Sequence, residues 1–388
     1  MASSHRIGII IHYSTTNYGN HLVNYATRNI LQECGYEVDL LVLEEHGQSR
    51  LDTLKRLPRK LQRLGIKGAT SRLLGRLKRL TFEKPVAASL AASVSRRRER
   101  FAVFSQSHLR SQFIDRENTS NLKDAYARVG IGSDQIWNFD YGINGSLFAD
   151  FTSPKNVVTL SPSVGHERIP TEWVRSYERW LAGFTEVGTR EVEWTQELAS
   201  RSGAPNFTLL VDPTLMYDQD FWGKIASPSS EAQGKILLYH LGELLPQHAE
   251  YVSELADRHS LDTLHLSDTV GGAPWETNAT EFLGMVQAAA CVVTDSYHGA
   301  IFAFLFDKPL VLLERHGFAG SMNTRTRTLT DRLHLSDRYM NVLSIDDALN
   351  HDYTRGADAL HGYRDEYWAY LRRQGIQRSR VSQPNHHE

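Results

Sequence analysis

Arg6-Ile-Gly-Ile-Ile-Ile-His12 is a β-branched apolar run, and Ser14-Thr-Thr-Asn-Tyr-Gly-Asn20 after it is polar and turn-forming. Leu22, Tyr25, Ala26, Ile30 and Leu31 then recur at helical spacing up to Gly35, and Tyr36-Glu-Val-Asp-Leu-Leu-Val-Leu43 is a second apolar run. Strand, loop, helix, strand is the opening of a parallel α/β unit, with its ligand loops at the carboxyl ends of the strands. The rhythm resumes at Ala127-Arg-Val-Gly-Ile131, Val157-Val-Thr-Leu160, Thr185-Glu-Val-Gly-Thr189 and Phe207-Thr-Leu-Leu-Val211. Ser227–Gly234 carries Ser, Pro and Gly and reads as a linker. A second set follows at Lys235-Ile-Leu-Leu-Tyr239, Thr263-Leu-His-Leu266, Cys291-Val-Val-Thr294 and Pro309-Leu-Val-Leu-Leu313, and residues 358–375 read as a terminal helix. The expected architecture is α/β, with two doubly wound Rossmann-type domains facing across a cleft. They span residues 1–226 and 234–350, and 351–388 form a C-terminal helix and tail.

A chain of 388 residues with 41% hydrophobic content is long and apolar enough for two such domains, which excludes global disorder. Its longest apolar run, Ala300–Phe306, is far short of the roughly 20 residues that span a bilayer. The stretch Ile7–Ile11 is too short for a secretory signal, so a cytoplasmic protein is expected. Two cysteines, Cys34 and Cys291, cannot build a disulfide framework or a zinc cage, and the 17 histidines show no metal-ligand spacing. No metal is therefore expected. The overall charge of −2 hides an asymmetry: Arg50–Arg100 holds 16 Lys and Arg against three acids, a net of +13. Within it Leu51, Leu54, Leu57, Leu61 and Leu64, then Leu73, Leu77 and Leu80, fall at helical steps interrupted by Pro58, Gly65, Gly68 and Pro85. This predicts a basic insertion of short amphipathic helices over about 48–105, suited either to an anionic membrane face or to plain solvation. Nucleic acid is not the expected partner, because the block has one aromatic, Phe82, for base stacking.

Four loops can carry chemistry. Asn17-Tyr-Gly-Asn20 precedes a helix N-terminus, where backbone N–H groups suit an anion or a sugar hydroxyl. In Val129-Gly-Ile-Gly-Ser-Asp-Gln-Ile-Trp137, Asp134, Gln135 and Trp137 offer an acceptor, an amide and a stacking face for a sugar; the competing reading is a capped turn with Trp137 in the core. Thr294-Asp-Ser-Tyr-His-Gly299 places His298 at the start of an apolar helix, where it can serve a phosphorylated ligand as proton donor or be merely structural. Asn323-Thr-Arg-Thr-Arg327 reads as a basic loop whose Arg325 and Arg327 suit an anionic donor, with Arg332 on the exposed face of the next helix. Arg190-Glu191 ends another strand, as an anion holder or a self-paired ion pair.

Taken in order, Asn17-Tyr-Gly, the 129–137 motif, Ser161-x-Ser163-x-Gly165, Arg190-Glu191, Val211-Asp-Pro-Thr-Leu215, Glu281-Phe-Leu283, Thr294–Gly299 and Arg325 with Arg338 resemble the polysaccharide pyruvyl transferase family. The likeness runs from about residue 7 to 345 and includes the insertion ending in Arg100-Phe101 and Phe104. It implies a GT-B-like fold and transfer of pyruvate from phosphoenolpyruvate onto a sugar diol as a cyclic ketal, with release of phosphate. No cofactor is implied beyond phosphoenolpyruvate as co-substrate. The acceptor would be a polysaccharide or lipid-linked saccharide of an exopolysaccharide pathway. By this resemblance His298 is catalytic, Arg190, Ser296, Arg325 and Arg327 bind the donor, and Asn17, Tyr18, Gly19, Asn20, Asp134, Gln135 and Trp137 bind the acceptor. One departure is Ser296, where well-studied members carry arginine; Arg325 can take over the phosphate, or the donor can differ. The alternatives are a GT-B-like glycosyltransferase using a nucleotide sugar and a non-catalytic carbohydrate- or membrane-binding protein.

Overall fold

The computed structural model describes residues 5–44, 84–191, 193–201, 203–267, 276–316 and 323–379. Five parallel strands form the first sheet: β1 (Arg6–Ile10), β2 (Glu37–Glu44), β3 (Ser111–Asp115), β4 (Arg128–Ile131) and β5 (Val157–Thr159), in the order β3-β2-β1-β4-β5. β6 (Glu186–Thr189) and β7 (Asn206–Leu209) form a parallel pair tied to β5 where Gly188 N donates to Thr159 Oγ1 at 2.7 Å. The second sheet is parallel too: β8 (Ile236–His240), β9 (Thr263–Ser267), β10 (Cys291–Thr294) and β11 (Leu310–Leu312), in the order β11-β10-β8-β9. Helices cover these sheets, so their central strands are apolar on both faces, which is why they read as continuous Ile, Leu and Val runs. The strand that the sequence pattern does not reveal is β3, Ser-Gln-Phe-Ile-Asp, at the sheet edge where only one neighbour must be satisfied.

The two α/β units are welded by apolar packing. A single buried cluster runs from Ile9 and Leu22 in the first unit to Phe282, Phe302 and Leu312 in the second. At its centre Tyr18, the first residue after the cap of the first helix (Tyr18–Glu33), stacks on Phe282 at 4.7 Å and meets Tyr239 edge-on at 5.8 Å. Its hydroxyl hydrogen-bonds Thr277 at 2.7 Å. Residues 227–234, expected as a linker, are packed as well: Ser227 N donates to Thr280 O, and Ala232 is fully buried. The terminal helix (Thr354–Arg373) returns to the first unit, where Tyr370 bonds Thr159 at 2.7 Å and Arg364 donates to Leu215 O and Tyr217 O. It belongs with that unit as much as with a separate tail.

The leucine pattern of residues 51–80 lies outside the described residues. The end of the basic block is a helix, Lys84–Phe104, with Pro85 in its first turn, where the missing N–H costs nothing. Three of its arginines are engaged by protein groups, although only Arg97 is buried. Arg96 makes a forked pair with Glu276, Arg100 pairs with Glu281, and Arg97 donates to Thr16 O while lying 4.7 Å over the Tyr18 ring. Among the described residues no helix is long and apolar enough to cross a membrane.

His21 is buried beneath this helix, edge-on to Phe101 at 4.8 Å and Phe104 at 5.7 Å. Its Nδ1 can only donate to the Asn17 carbonyl (3.1 Å), leaving Nε2 to accept from Ser105 Oγ (2.9 Å). Burial pushes it down to about 4 despite the Asn17 bond. A histidine held neutral by the fold stabilises it above the ordinary value near 6.5, and that contribution is lost as pH falls towards 4. Between pH 7 and pH 5 this residue should cost about 2 kcal/mol of stability. Urea denaturation of His21→Gln should therefore show a smaller pH 7-to-5 loss than wild type by about that amount; an unchanged difference would refute the assignment.

Candidate functional site

The carboxyl ends of both sheets point at the seam between the units. β1 delivers His12 and, through the first helix, Gly19 and Asn20; β4 delivers Asp134 and Gln135; β6 delivers Arg190 and Glu191. From β7 comes Asp212, from β10 come Ser296, Tyr297 and His298, and the helix after β11 (Asn323–Arg332) brings Arg325. Asp134, Arg190, Glu191, Asp212, His298 and Arg325 are all buried.

Local chemistry fixes each group. Asp134 holds the left-handed conformation (φ 58°), which Asp tolerates better than bulkier residues, while its carbonyl accepts from Ser163 N. Its carboxylate then reaches three partners: Asn20 Nδ2 at 3.0 Å, Arg190 at 3.5 Å and Arg325 at 3.7 Å. Asp212 caps its own turn by accepting from Thr214 N and Oγ1, and its other oxygen takes a short bond from Arg190 Nη1. Tyr297 lies between the two arginines, 4.7 Å from Arg190 and 5.5 Å from Arg325. Ser296 caps the apolar helix Tyr297–Leu305 by accepting from Gly299 N at 3.2 Å, which places His298 in its first turn. The His298 Nε2 stands 3.5 Å from Asp212 Oδ2, and the ring lies against Gly19 so closely that a Cβ there would fall 2.0 Å from Nδ1. First helix and histidine helix are thus fitted to one another across the seam.

The electrostatics separate the groups. Burial would raise Asp134 and Asp212, yet Arg190 and His298 reverse this and hold both far below the usual carboxylate range, with His12 and Arg325 adding to the effect on Asp134. Burial keeps Glu191 raised against Arg190 and the Ser163 hydroxyl. For Arg190, burial is outweighed by Tyr297, Asp212, Glu191 and Asp134, so its charge is strongly held. Arg325 is the reverse: burial, then Arg190, lower it, and its Nε has no hydrogen-bond partner. The Gln135 amide lies 2.9 and 3.1 Å from the Arg325 nitrogens and presents its oxygen to them, since arginine can only donate. Arg325 is the cation here that an added anion would relieve most. Burial pushes Cys34 and Cys291 up to about 12, which leaves both thiols protonated at neutral pH.

Several expected site residues sit elsewhere or do other work. Trp137 is fully buried, stacked on Phe148 at 4.7 Å with its indole N–H on Leu147 O, so it is core and offers no face to a sugar. Arg327 points outward beside Glu314, because residues 323–327 are helix rather than loop and two steps along a helix turn Arg327 away from Arg325. Arg332, expected on an exposed face, covers the Tyr363 ring at 3.8 Å. Tyr18 is the apolar weld, Asn17 caps the first helix by accepting from Asn20 N, and the Ser296 hydroxyl is engaged as a cap. Arg338 is buried and donates to the carbonyls of Leu310, Ala348 and Asn350. Asp212, Tyr297 and His12 are in the group without having been singled out; Asp212 and Tyr297 do lie inside quoted motifs.

Two parallel α/β units with their strand ends turned to a common seam make this a GT-B-like protein. The chain belongs to the polysaccharide pyruvyl transferase family, whose model matches residues 17–317, and is thereby a transferase acting on a saccharide. No curated protein sequence matches it significantly. Solved structures similar to it include the spinosyn rhamnosyltransferase SpnG complexed with thymidine diphosphate (12% identity, 95% of this chain and 98% of that one, TM-score 0.34). Others are a UDP-N-acetylglucosamine 2-epimerase described as putative from Listeria monocytogenes (12%, 97% and 98%, TM-score 0.41) and the E. coli heptosyltransferase WaaC with ADP (13%, 82% and 89%, TM-score 0.34).

Gly19→Ala tests the fit across the seam. The added methyl must displace the His298 ring, so transferase activity should fall by about 10²-fold, the scale of a misplaced catalytic group, while the circular dichroism spectrum stays that of wild type. Full activity in the alanine variant would show that the ring position does not matter.

Proposed function

We propose that the seam takes phosphoenolpyruvate as co-substrate and transfers its pyruvate to two hydroxyls of a saccharide as a cyclic ketal, with no further cofactor. The observation that carries this reading is the joining of His298, Asp212, Arg190 and Arg325 in one buried group, in a chain of this family. His298 gives a proton to the terminal CH2 carbon, and the central carbon becomes cationic. One sugar hydroxyl adds there; the C–O bond to phosphate breaks and phosphate leaves with that electron pair; the second hydroxyl adds and closes the ketal. Of the two hydroxyl protons released, one returns to His298 and the other leaves with phosphate. Asp212 balances the imidazolium charge. Arg325, under-compensated as it stands, holds the anionic donor, while Arg190 keeps Asp134 and Asp212 ionised. The gap beside Arg190 and Asp212, walled by Tyr297 and Leu329, is about 10 Å³, too small to be the donor's own place. An anionic membrane contact for a lipid-linked acceptor rests mainly on the charge of residues 50–83, since Arg96, Arg97 and Arg100 are already engaged by groups of the protein.

Thermal denaturation and phosphate release test the reading. Phosphoenolpyruvate should raise the melting temperature of wild type and of His298→Gln alike, while phosphate release in the presence of methyl glycosides falls ~10²–10⁴-fold in that variant. Arg325→Ala should lose the stabilisation by phosphoenolpyruvate. Stabilisation by a nucleotide sugar and none by phosphoenolpyruvate would overturn the proposal in favour of glycosyl transfer.

A further inference from the structure

We propose that Phe113, Tyr13, His12 and Tyr141 form an aromatic platform on which a pyranose ring of the saccharide acceptor stacks. The proposal rests on the reading of the seam as a pyruvyl transfer site. Four large hydrophobic side chains among the described residues stand exposed, Val103, Phe113, Tyr141 and Val342, and the two aromatic ones belong to two ring pairs whose inner members, Tyr13 and His12, are adjacent in the chain. Phe113 meets Tyr13 edge-on at 5.4 Å; His12, next in the chain, stacks on Tyr141 at 5.2 Å with 9° between planes. Phe113 is 53% exposed and Tyr141 42%, whereas His12 and Tyr13 are half-buried supports.

The run is built rather than accidental. Tyr13 is fixed by its hydroxyl on Ser105 Oγ at 3.1 Å. The Tyr141 loop is a single 3-10 turn, Phe139–Tyr141, capped by Asn138 accepting from Asp140 N and closed by Gly142 in the left-handed region (φ 75°). Arg116, directly after β3, donates to Leu43 O and Gly142 O and so ties the Phe113 strand to the Tyr141 loop. Two rigidly held, half-exposed aromatic rings leave apolar area in water, which an occupant with an apolar face would cover.

The neighbours select which occupant. Tyr141 Oη lies 3.3 Å from the Gln135 amide whose other end faces Arg325, and the His12 carbonyl accepts from Asn20, which also bonds Asp134. The platform is therefore one side chain from the anion-holding arginine. A pyranose has an apolar C–H face for the rings and hydroxyls along its edge for the reacting carbon, which neither an apolar peptide segment nor a lipid tail combines. The Trp137 face expected for this purpose is in the core, and Tyr141, four residues on, stands at the surface instead.

Saturation-transfer NMR with the methyl glycosides of glucose, galactose and mannose, without phosphoenolpyruvate, tests the platform. At least one should receive saturation from wild type, with roughly tenfold weaker binding in Tyr141→Ala and in Phe113→Ala and near-normal binding in Tyr141→Phe and in Val342→Ala. The phosphoenolpyruvate-induced shift in melting temperature should be unchanged in all four variants, which also reports their folding. Undiminished transfer in both alanine variants, or none to any glycoside in wild type, would overturn the platform while leaving pyruvyl transfer standing. Ring-dependent transfer with no stabilisation by phosphoenolpyruvate would sink the pyruvyl reading and leave a saccharide site.

Discussion

Asp134 and Asp212 sit between the buried guanidinium groups of Arg190 and Arg325 and the ring of His298, and this compensation of buried charge is the constraint to which the rest of the structure conforms. Removing one partner from such a group leaves an unpaired charge out of water, at a typical cost of 3–5 kcal/mol. The partners follow β4 in the first sheet, β6 and β7 in the parallel pair, and β10 and β11 in the second sheet, so the charges can be paired only if both units turn their carboxyl ends to the same seam. Tyr18 on Phe282 and the apolar cluster around them hold that approach, and Gly19 makes it close enough for His298 to reach Asp212. Apolar burial supplies the free energy; the ionic group determines how the two surfaces register.

The same compensation bears on function. Arg190 is paired with Asp212 and Asp134, whereas Arg325 stands 3.7 Å from Asp134 and faces a second cation; the Nε of each lacks a hydrogen-bond partner. A buried cation in that condition is stabilised by a bound anion more than a solvated one would be. Preorganisation of this kind fits an enzyme that must stabilise charge on a small donor while water is kept out. Ser296 stands two residues before His298 as a helix cap, so in the proposed function the donor contacts fall to the helix that carries Arg325.

Much of the fold was legible because parallel strands buried on both faces must be apolar throughout, and runs such as Ile236–Tyr239 and Cys291–Thr294 have no other good use. β3 escaped notice because an edge strand reading Ser-Gln-Phe-Ile-Asp carries no such constraint. Residues 323–327 read as a loop because Thr and Arg give them no apolar stripe; they open the helix Asn323–Arg332, whose register parts Arg325 from Arg327. His298 and Arg325 were legible by residue type and position after a strand. Trp137 was misplaced since a tryptophan beside Asp and Gln reads alike whether it faces a ligand or the core, and only the packing of Phe148 and Trp194 around it decides. Asp212 stands in the quoted Val211–Leu215 motif without being singled out, because its place beside a histidine 86 positions away is something no local pattern connects to it.

The central claim is that the seam protonates the terminal carbon of phosphoenolpyruvate on the way to a ketal. It is tested most directly by running the reaction with methyl glycosides in D2O and analysing the glycoside product by mass spectrometry and NMR. The account predicts a pyruvyl ketal whose methyl group carries one solvent-derived deuterium. A modified glycoside with no pyruvyl group, or a pyruvyl group whose methyl holds no deuterium, would contradict it.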